Sequence, residues 1–324
     1  MSAGRSVRAG RRTLEIHRPD KVLFAPPDGG DGNGDRSGAR EGGGEGDGPE
    51  YTKADLVEYY RSVAPYLLPQ LRDRPLMLER YPDGVGGPRF MQKNVSAHYP
   101  DWIARVEVAK EGGTVRHPVC QDTATLVYLA DQASLTLHRW LSRTGHLDRP
   151  DRLVFDLDPS GEDDFPLCRK AAHHLGELLD ALGLPSVLMT TGSRGLHVVV
   201  PLNGRHGYDE VRAFARDVAD TLAAAHPDRL TTAARKKDRG DRLYLDVQRN
   251  AYAQTAVAPW SVRARPGAPV AAPLAWDQLD DPGLHARRWT LADAADQART
   301  DPWGDLLRTG RALGPARRRL DALR

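Results

Sequence analysis

The stretch from Arg152 to Val247 constrains the fold most, because it alternates two periodicities that cannot share one element. Arg152–Asp158 is a short apolar run with acidic residues at alternate places, stopped by Pro159; a period of two is that of a strand. Phe165–Leu182 instead puts Leu167, Ala171, Leu175, Leu178, Leu179 and Leu182 on one side of a helix, with Gly183 and Pro185 as stop signals. Val187–Thr191 and Leu196–Leu202 read as two strands across a glycine-bearing turn, Tyr208–Ala225 as a second helix and Leu243–Val247 as another strand. Strand–helix–strand order at this spacing predicts an α/β protein with mixed β-sheets flanked by helices.

Outside this stretch, Lys53–Leu71 has helical spacing after Thr52 as N-cap, and Leu76–Arg80 reads as a strand. Thr123–Leu141 is expected as a helix with Leu126, Leu129, Ala130, Ala133 and Leu137 along one stripe. Leu14–Phe24 reads as extended. Residues 1–12 are expected as a basic flexible tail, and 13–324 as a single domain interrupted at 28–50. There, ten glycines and seven acidic residues face two arginines, too few apolar groups to offset the entropy of ordering, so a disordered loop is expected. Overall, 46 Lys and Arg against 44 Asp and Glu give +2. The insert carries −5 of this and the remainder +7, a balance that suits an anionic partner. No apolar run approaches the roughly 18–20 residues of a membrane span, and no apolar stretch follows Arg5, Arg8, Arg11 and Arg12 as in a secretory signal. Two cysteines, Cys120 and Cys168, are too few for a disulfide framework or a Cys-rich zinc site. A cytoplasmic protein with no membrane partner is expected.

In Leu153-Val154-Phe155-Asp156-Leu157-Asp158 the two aspartates share a face while Phe155 and Leu157 point into the core. Two adjacent carboxylates stay ionised cheaply only beside positive charge, and oxygen-only ligands select hard ions such as Mg²⁺ or Mn²⁺. An isolated Asp-x-Asp serves equally well as a turn cap beside a solvated acid. A third carboxylate, Asp246, stands on a second apolar strand, where it is costly unless paired or metal-bound. Three strand-borne carboxylates can hold the two cations of a two-metal phosphoryl transfer. Gly192 and Gly195 permit a tight turn whose amides, with Thr191, Ser193 and Arg194, can approach an anion; a plain hairpin with a buried His197 is the simpler alternative. Arg235, Lys236, Lys237, Arg239, Arg242, Arg249, Arg263 and Arg265 surround Asp246 in sequence, which suits polyphosphate or nucleic acid.

Together these blocks resemble the polymerase/primase domain of bacterial ATP-dependent DNA ligase D, of the archaeo-eukaryotic primase superfamily. The resemblance runs over Pro19–Phe24, Thr52–Asp55, Pro88–Asn94, Leu137–Leu141, Leu153–Pro159, Thr191–His197, Leu243–Leu279 and Asp301–Trp303, nearly the whole chain apart from the insert. It implies an archaeo-eukaryotic primase-like catalytic core and a nucleotidyltransferase that extends a DNA 3′ end from nucleoside triphosphates, with ribonucleotides often preferred, to fill gaps during non-homologous end joining. By resemblance, Asp156, Asp158 and Asp246 bind two divalent cations, Mn²⁺ or Mg²⁺. His138 and Thr191 lie near the sugar, and Ser193, Arg194, His197, Arg239, Arg249, Arg263 and Arg265 near the triphosphate. Lys21 and Lys53 hold the 5′-phosphate of a downstream strand, while Phe90, with Lys93 beside it, meets the template. Thr191 and Arg194 stand where the family commonly has Ser and Lys, Met91 where it has a second aromatic, and Arg18 where it often has Asn. Neither a nucleotidyl-lysine ligation motif nor a His-rich nuclease signature is recognisable, so a separate DNA ligase and a DNA-end-binding protein are expected partners, in a nucleoid-associated setting. A primase starting chains on single strands, a non-catalytic DNA-end-binding module and an Asp-x-Asp sugar transferase are the competing readings.

Overall fold

The computed structural model describes residues 4–26, 49–161 and 164–323. The acidic glycine-rich loop expected at 28–50 lies outside these, apart from its last two residues. The elements follow one another as β1 (Arg5–Ala9), β2 (Arg12–Ile16), β3 (Val22–Phe24), β4 (Tyr51–Thr52), α1 (Lys53–Leu71), β5 (Leu76–Arg80), β6 (Phe90–Gln92), β7 (Arg105–Lys110), β8 (Gly113–Pro118), α2 (Thr123–Asp131) and β9 (Ser134–Trp140). The second half runs β10 (Ser142–Arg143), β11 (His146–Pro150), β12 (Arg152–Asp158), α3 (Phe165–Ala181), β13 (Val187–Thr190), β14 (Leu196–Pro201), α4 (Tyr208–Ala225), β15 (Leu230–Thr231), β16 (Leu243–Asp246), β17 (Thr255–Val257), β18 (Pro273–Leu274), α5 (Ala294–Arg299) and α6 (Leu313–Leu323).

Two sheets carry the site. A six-stranded mixed sheet has the order β15-β16-β12-β14-β13-β18, antiparallel except where β15 meets β16, and a four-stranded antiparallel sheet has the order β17-β9-β5-β6. Phe155 and Leu157 join the main core with residues of α3 and α4, which pack on that face of β12. On the other face Val154 joins Leu141, Val199, Val257 and Trp303 in a smaller apolar cluster, so Asp156 and Asp158, two and four residues on, face the four-stranded sheet. The α1 start is the expected one: the Thr52 hydroxyl accepts the Asp55 N–H at 3.3 Å while the Thr52 N–H donates to the Asp55 carboxylate at 2.7 Å, a capping box.

Two expectations are corrected. Residues 5–9 are no tail: Val7 and Ala9 pair with Leu14 and Arg12 in a hairpin whose apolar side rests on the main core. The helix at Thr123 stops at Asp131, because Ala133 takes the left-handed φ of 54° and turns the chain into β9. There Leu135 and Leu137 point into the core and Thr136 and His138 the other way, a period of two that the helical spacing of Leu126, Leu129, Ala133 and Leu137 masked. His138 therefore stands on a strand.

Candidate active site

Asp156 lies at the middle of a rung that crosses three strands. Its register partners are Asp246 on β16 and His197 on β14, and Asp158 pairs with Tyr244 one step along. Asp246 is thus on the same side of the sheet as the other two carboxylates. All three line one cavity of about 200 Å³, with His138, Thr255 and Val257 from the facing sheet and Arg194, Arg249 and Arg263 among the other walls.

The carboxylates differ in their surroundings. Burial raises the Asp156 carboxyl, but His197, its Nε2 at 3.5 Å, and Arg249, its Nε at 3.5 Å, outweigh this and hold it at about 2. Asp158 is bridged by Arg194 at 3.0 Å and Arg239 at 3.3 Å, and the Arg239 guanidinium lies 3.9 Å from the centre of the Tyr244 ring. Asp246 has no cation at contact distance among its described partners; it accepts the Gln248 N–H at 2.7 Å and the Tyr244 hydroxyl at 3.3 Å. Burial first, and then the charge of Asp156, push its carboxyl up. A divalent cation bound by these carboxylates would relieve that conflict. Among the described residues no three His, Cys, Asp or Glu side chains form a ready-made metal cage. The fit to Mg²⁺ or Mn²⁺ rests on the all-oxygen donor set, the shared rung and the unrelieved charge of Asp246.

Opposite the carboxylates the buried Arg263 Nε has no hydrogen-bond partner among the described residues, while the buried His138 Nε2 faces the Glu79 carboxylate at 3.6 Å; buried polar groups are rarely left so without a ligand to meet them. Burial pushes both His138 and Arg263 down. Arg263 reaches across with Nη1 to the Thr191 carbonyl at 2.6 Å. Thr191 itself is spent on the turn: its hydroxyl donates to the Gly195 carbonyl at 3.0 Å and accepts the Gly195 and Ser193 N–H groups at 3.2 and 3.3 Å. The extra anion donor read from the sequence at this position is therefore a turn brace that still borders the cavity. Gly195 has no substitute, since a Cβ there would run into the Leu157 carbonyl oxygen, and Gly192 holds φ +62° against the Val270 backbone.

Of the remaining expected residues, Ser193 and His197 line the cavity, Arg239 reaches it through Asp158, and Arg265 is not among the residues that border it. Lys21 and Lys53 are brought together, the Lys53 N–H donating to the Lys21 carbonyl at 2.8 Å. Lys21 meets Asp83 at 2.7 Å and Lys53 meets Asp131 at 3.4 Å. Burial above all lowers the Lys53 ammonium, with Arg18 and Lys21 adding to it, a concentration of positive charge suited to an anion. Phe90 and Met91 stand exposed on the edge strand β6, and Lys93 follows them in solvent.

Three contributors had no role assigned from the sequence, although Asn250 lies in the block Leu243–Leu279 that carries the resemblance. Glu79 on β5 is buried, 3.6 Å from His138 Nε2; burial raises its carboxyl but His138 and Arg263 bring it lower. Asn250 clamps both backbone groups of Val154, at 2.8 and 2.7 Å, tying the turn that bears Arg249 to the strand that bears Asp156. Arg287 donates to the Ser193 carbonyl at 2.9 Å. An acidic residue inside the apolar run Leu76–Glu79 was a signal for the first and the resemblance over Leu243–Leu279 for the second; nothing in the sequence marked Arg287.

A family model described as the LigD primase-polymerase domain matches residues 52–306. The chain is 35% identical over 272 residues to a multifunctional non-homologous end joining protein LigD of Pseudomonas aeruginosa, covering 83% of this chain and 32% of that protein. It is 36% identical over 260 residues to the counterpart of Mycolicibacterium smegmatis, covering 79% and 33%. The chain thus spans about a third of these relatives' length. Among solved structures it is similar to the polymerase domain of Mycobacterium tuberculosis ligase D in complex with DNA, with a TM-score of 0.78 at 28% identity over 92% of this chain and 99% of that one. With the mixed α/β core and the carboxylate rung already in place, the chain belongs to the LigD primase-polymerase domain family.

Proposed function

We propose that this protein is a nucleotidyltransferase that adds nucleotides, with ribonucleotides preferred, to a DNA 3′ end in gap filling during non-homologous end joining. The observation that carries this reading is the single cavity in which Asp156, Asp158 and Asp246 face Arg194, Arg249 and Arg263. Asp156, Asp158 and Asp246 would hold two divalent cations, Mn²⁺ or Mg²⁺, which when bound supply charge neutralisation for phosphoryl transfer. The arginines engage the triphosphate by bidentate hydrogen bonds, and Asn250 keeps Arg249 in register with Asp156. His138, neutral because it is buried, borders the cavity and presents its ring to the sugar, its Nε2 held toward Glu79 at 3.6 Å. The turn Thr191–Gly195 holds Arg194 against Asp158 until substrate takes its guanidinium.

DNA is engaged away from this cavity. Lys21 and Lys53 receive the 5′-phosphate of the downstream strand, and Phe90 stacks on the template. DNA ligation and DNA-end binding complete the repair. Phe90→Ala is expected to weaken binding of a template overhang by about 1–3 kcal/mol, read as a higher Kd with nucleoside triphosphate affinity unchanged.

The test is primer extension on a gapped duplex with Mn²⁺, comparing each ribo- and deoxyribonucleotide and a 5′-phosphorylated against a 5′-hydroxyl downstream strand. Extension that prefers the ribonucleotide and the phosphorylated gap is expected. Synthesis that needs no primer would make the protein a primase, and binding without extension an end-binding module.

A further inference from the structure

At the opposite end of β12 from Asp158 a second cavity of about 510 Å³ opens beside Arg152, within the size range of small-molecule sites. Its surroundings carry more positive charge than the protein neutralises. Arg74, Arg139, Arg143 and Arg152 come together around one carboxylate, Asp151, which meets Arg74 at 2.6 Å, Arg143 at 2.8 Å and Arg152 at 3.7 Å. Arg74, Arg139 and Arg152 are all buried. Arg139 reaches no carboxylate; its Nη1 donates to the Gln70 carbonyl and side-chain oxygens at 2.7 and 3.0 Å, and Gln70 is itself part of the cavity wall. Arg152, on the wall with 7% of its side chain exposed, donates through Nη1 to the Asp151 carbonyl and through Nη2 to the Leu307 carbonyl, while its buried Nε has no partner.

Uncompensated buried charge costs several kcal/mol per ion, so an arrangement of three guanidiniums on one acid, with a fourth beside them held by Gln70, persists most readily where an anion visits. The wall has the same sign: Arg143, Arg152 and Arg308 line it with one carboxylate, Asp301, Arg308 also meeting the exposed Asp305 at 2.9 Å.

Three aromatic residues, Tyr66, Trp260 and Trp303, also border the cavity, the two tryptophans largely buried. The Trp303 indole is fixed by its N–H to the Leu188 carbonyl at 2.7 Å. Trp260 sits at φ +65°, a left-handed conformation that a bulky residue adopts only under constraint; its N–H donates to the Ala271 carbonyl and its carbonyl accepts the Tyr59 hydroxyl. Strain of this kind gathers at ligand clamps. Aromatic walls beside guanidiniums select a flat ring that carries an anion.

We propose that this cavity is a second ligand site, distinct from the carboxylate cavity, that takes a mononucleotide with its phosphate on Arg143, Arg152 and Arg308 and its base against the aromatic wall. The site works without metal and does not depend on the transfer reaction.

Equilibrium dialysis of labelled AMP against the full chain in EDTA tests it. Binding below about 1 mM is expected, displaced by inorganic phosphate, with adenosine bound roughly tenfold more weakly. Arg152→Met removes the central donor but puts the buried cluster at risk. Arg308→Ala, at an exposed side chain on the rim, therefore carries the test and is expected to weaken AMP roughly fivefold. Arg249→Ala, in the carboxylate cavity, is expected to leave AMP binding unchanged. No binding at millimolar AMP, affinity unaltered by Arg308→Ala, or affinity lost in Arg249→Ala would each overturn the proposal.

Discussion

Asp246→Asn is expected to abolish nucleotide addition while raising the melting temperature of the metal-free protein. The two effects have one cause. Burial and the charge of Asp156 push the Asp246 carboxyl above its ordinary range, so folding disfavours its ionised form. A group whose folded pKa is raised in this way supports the folded state while protonated, and that support is lost as pH rises through the folded value. At neutral pH the charge therefore opposes folding, and an amide removes it. The amide oxygen still accepts the Gln248 N–H and the Tyr244 hydroxyl, so the local geometry survives. Activity is expected to fall roughly 10³-fold, about 4 kcal/mol of transition-state stabilisation. Melting scans in EDTA and primer extension check the two halves. The gap in melting temperature between variant and parent should close as pH is lowered toward about 4. A lower melting temperature at neutral pH, or activity within tenfold of the parent, would sink the account of this residue.

Asp151→Asn has the largest expected effect on stability. Burial raises this carboxyl, but Arg74, Arg152 and Arg143 overcome it and hold it well below the usual carboxylate range. The sign is opposite to that of Asp246: the stabilisation is present above the unfolded pKa and lost as pH falls through the folded one. Removing the charge leaves Arg74, Arg143 and Arg152 without their anion, a loss of about 3–5 kcal/mol by comparison with other broken buried pairs. Urea denaturation at neutral pH measures it. A loss under about 1 kcal/mol would mean that water already reaches the cluster.

The acidic strands were legible because a period of two with an acid on one face leaves little choice of element: Asp156, Asp158 and Asp246 face the way their apolar neighbours demanded. Thr123–Leu141 was not, since its leucines satisfy both periods until Ala133 turns the chain. The N-terminal hairpin hid behind its arginines, although Val7, Ala9, Leu14 and Ile16 alternate, and Gly10 at φ +60° makes the turn. Arg263 and Arg265 illustrate a different limit. Two residues apart in an irregular segment, one borders the cavity and the other does not, and no periodicity tells them apart. The buried cluster around Asp151 was invisible because Arg74, Arg139 and Arg152 come from separate elements and meet only after folding.

The bare backbone at Gly195 sets a boundary for anyone who would rebuild the turn that borders the carboxylate cavity. Every side chain at that place collides with main chain rather than with a movable group, so selection experiments that randomise the segment should return glycine there each time.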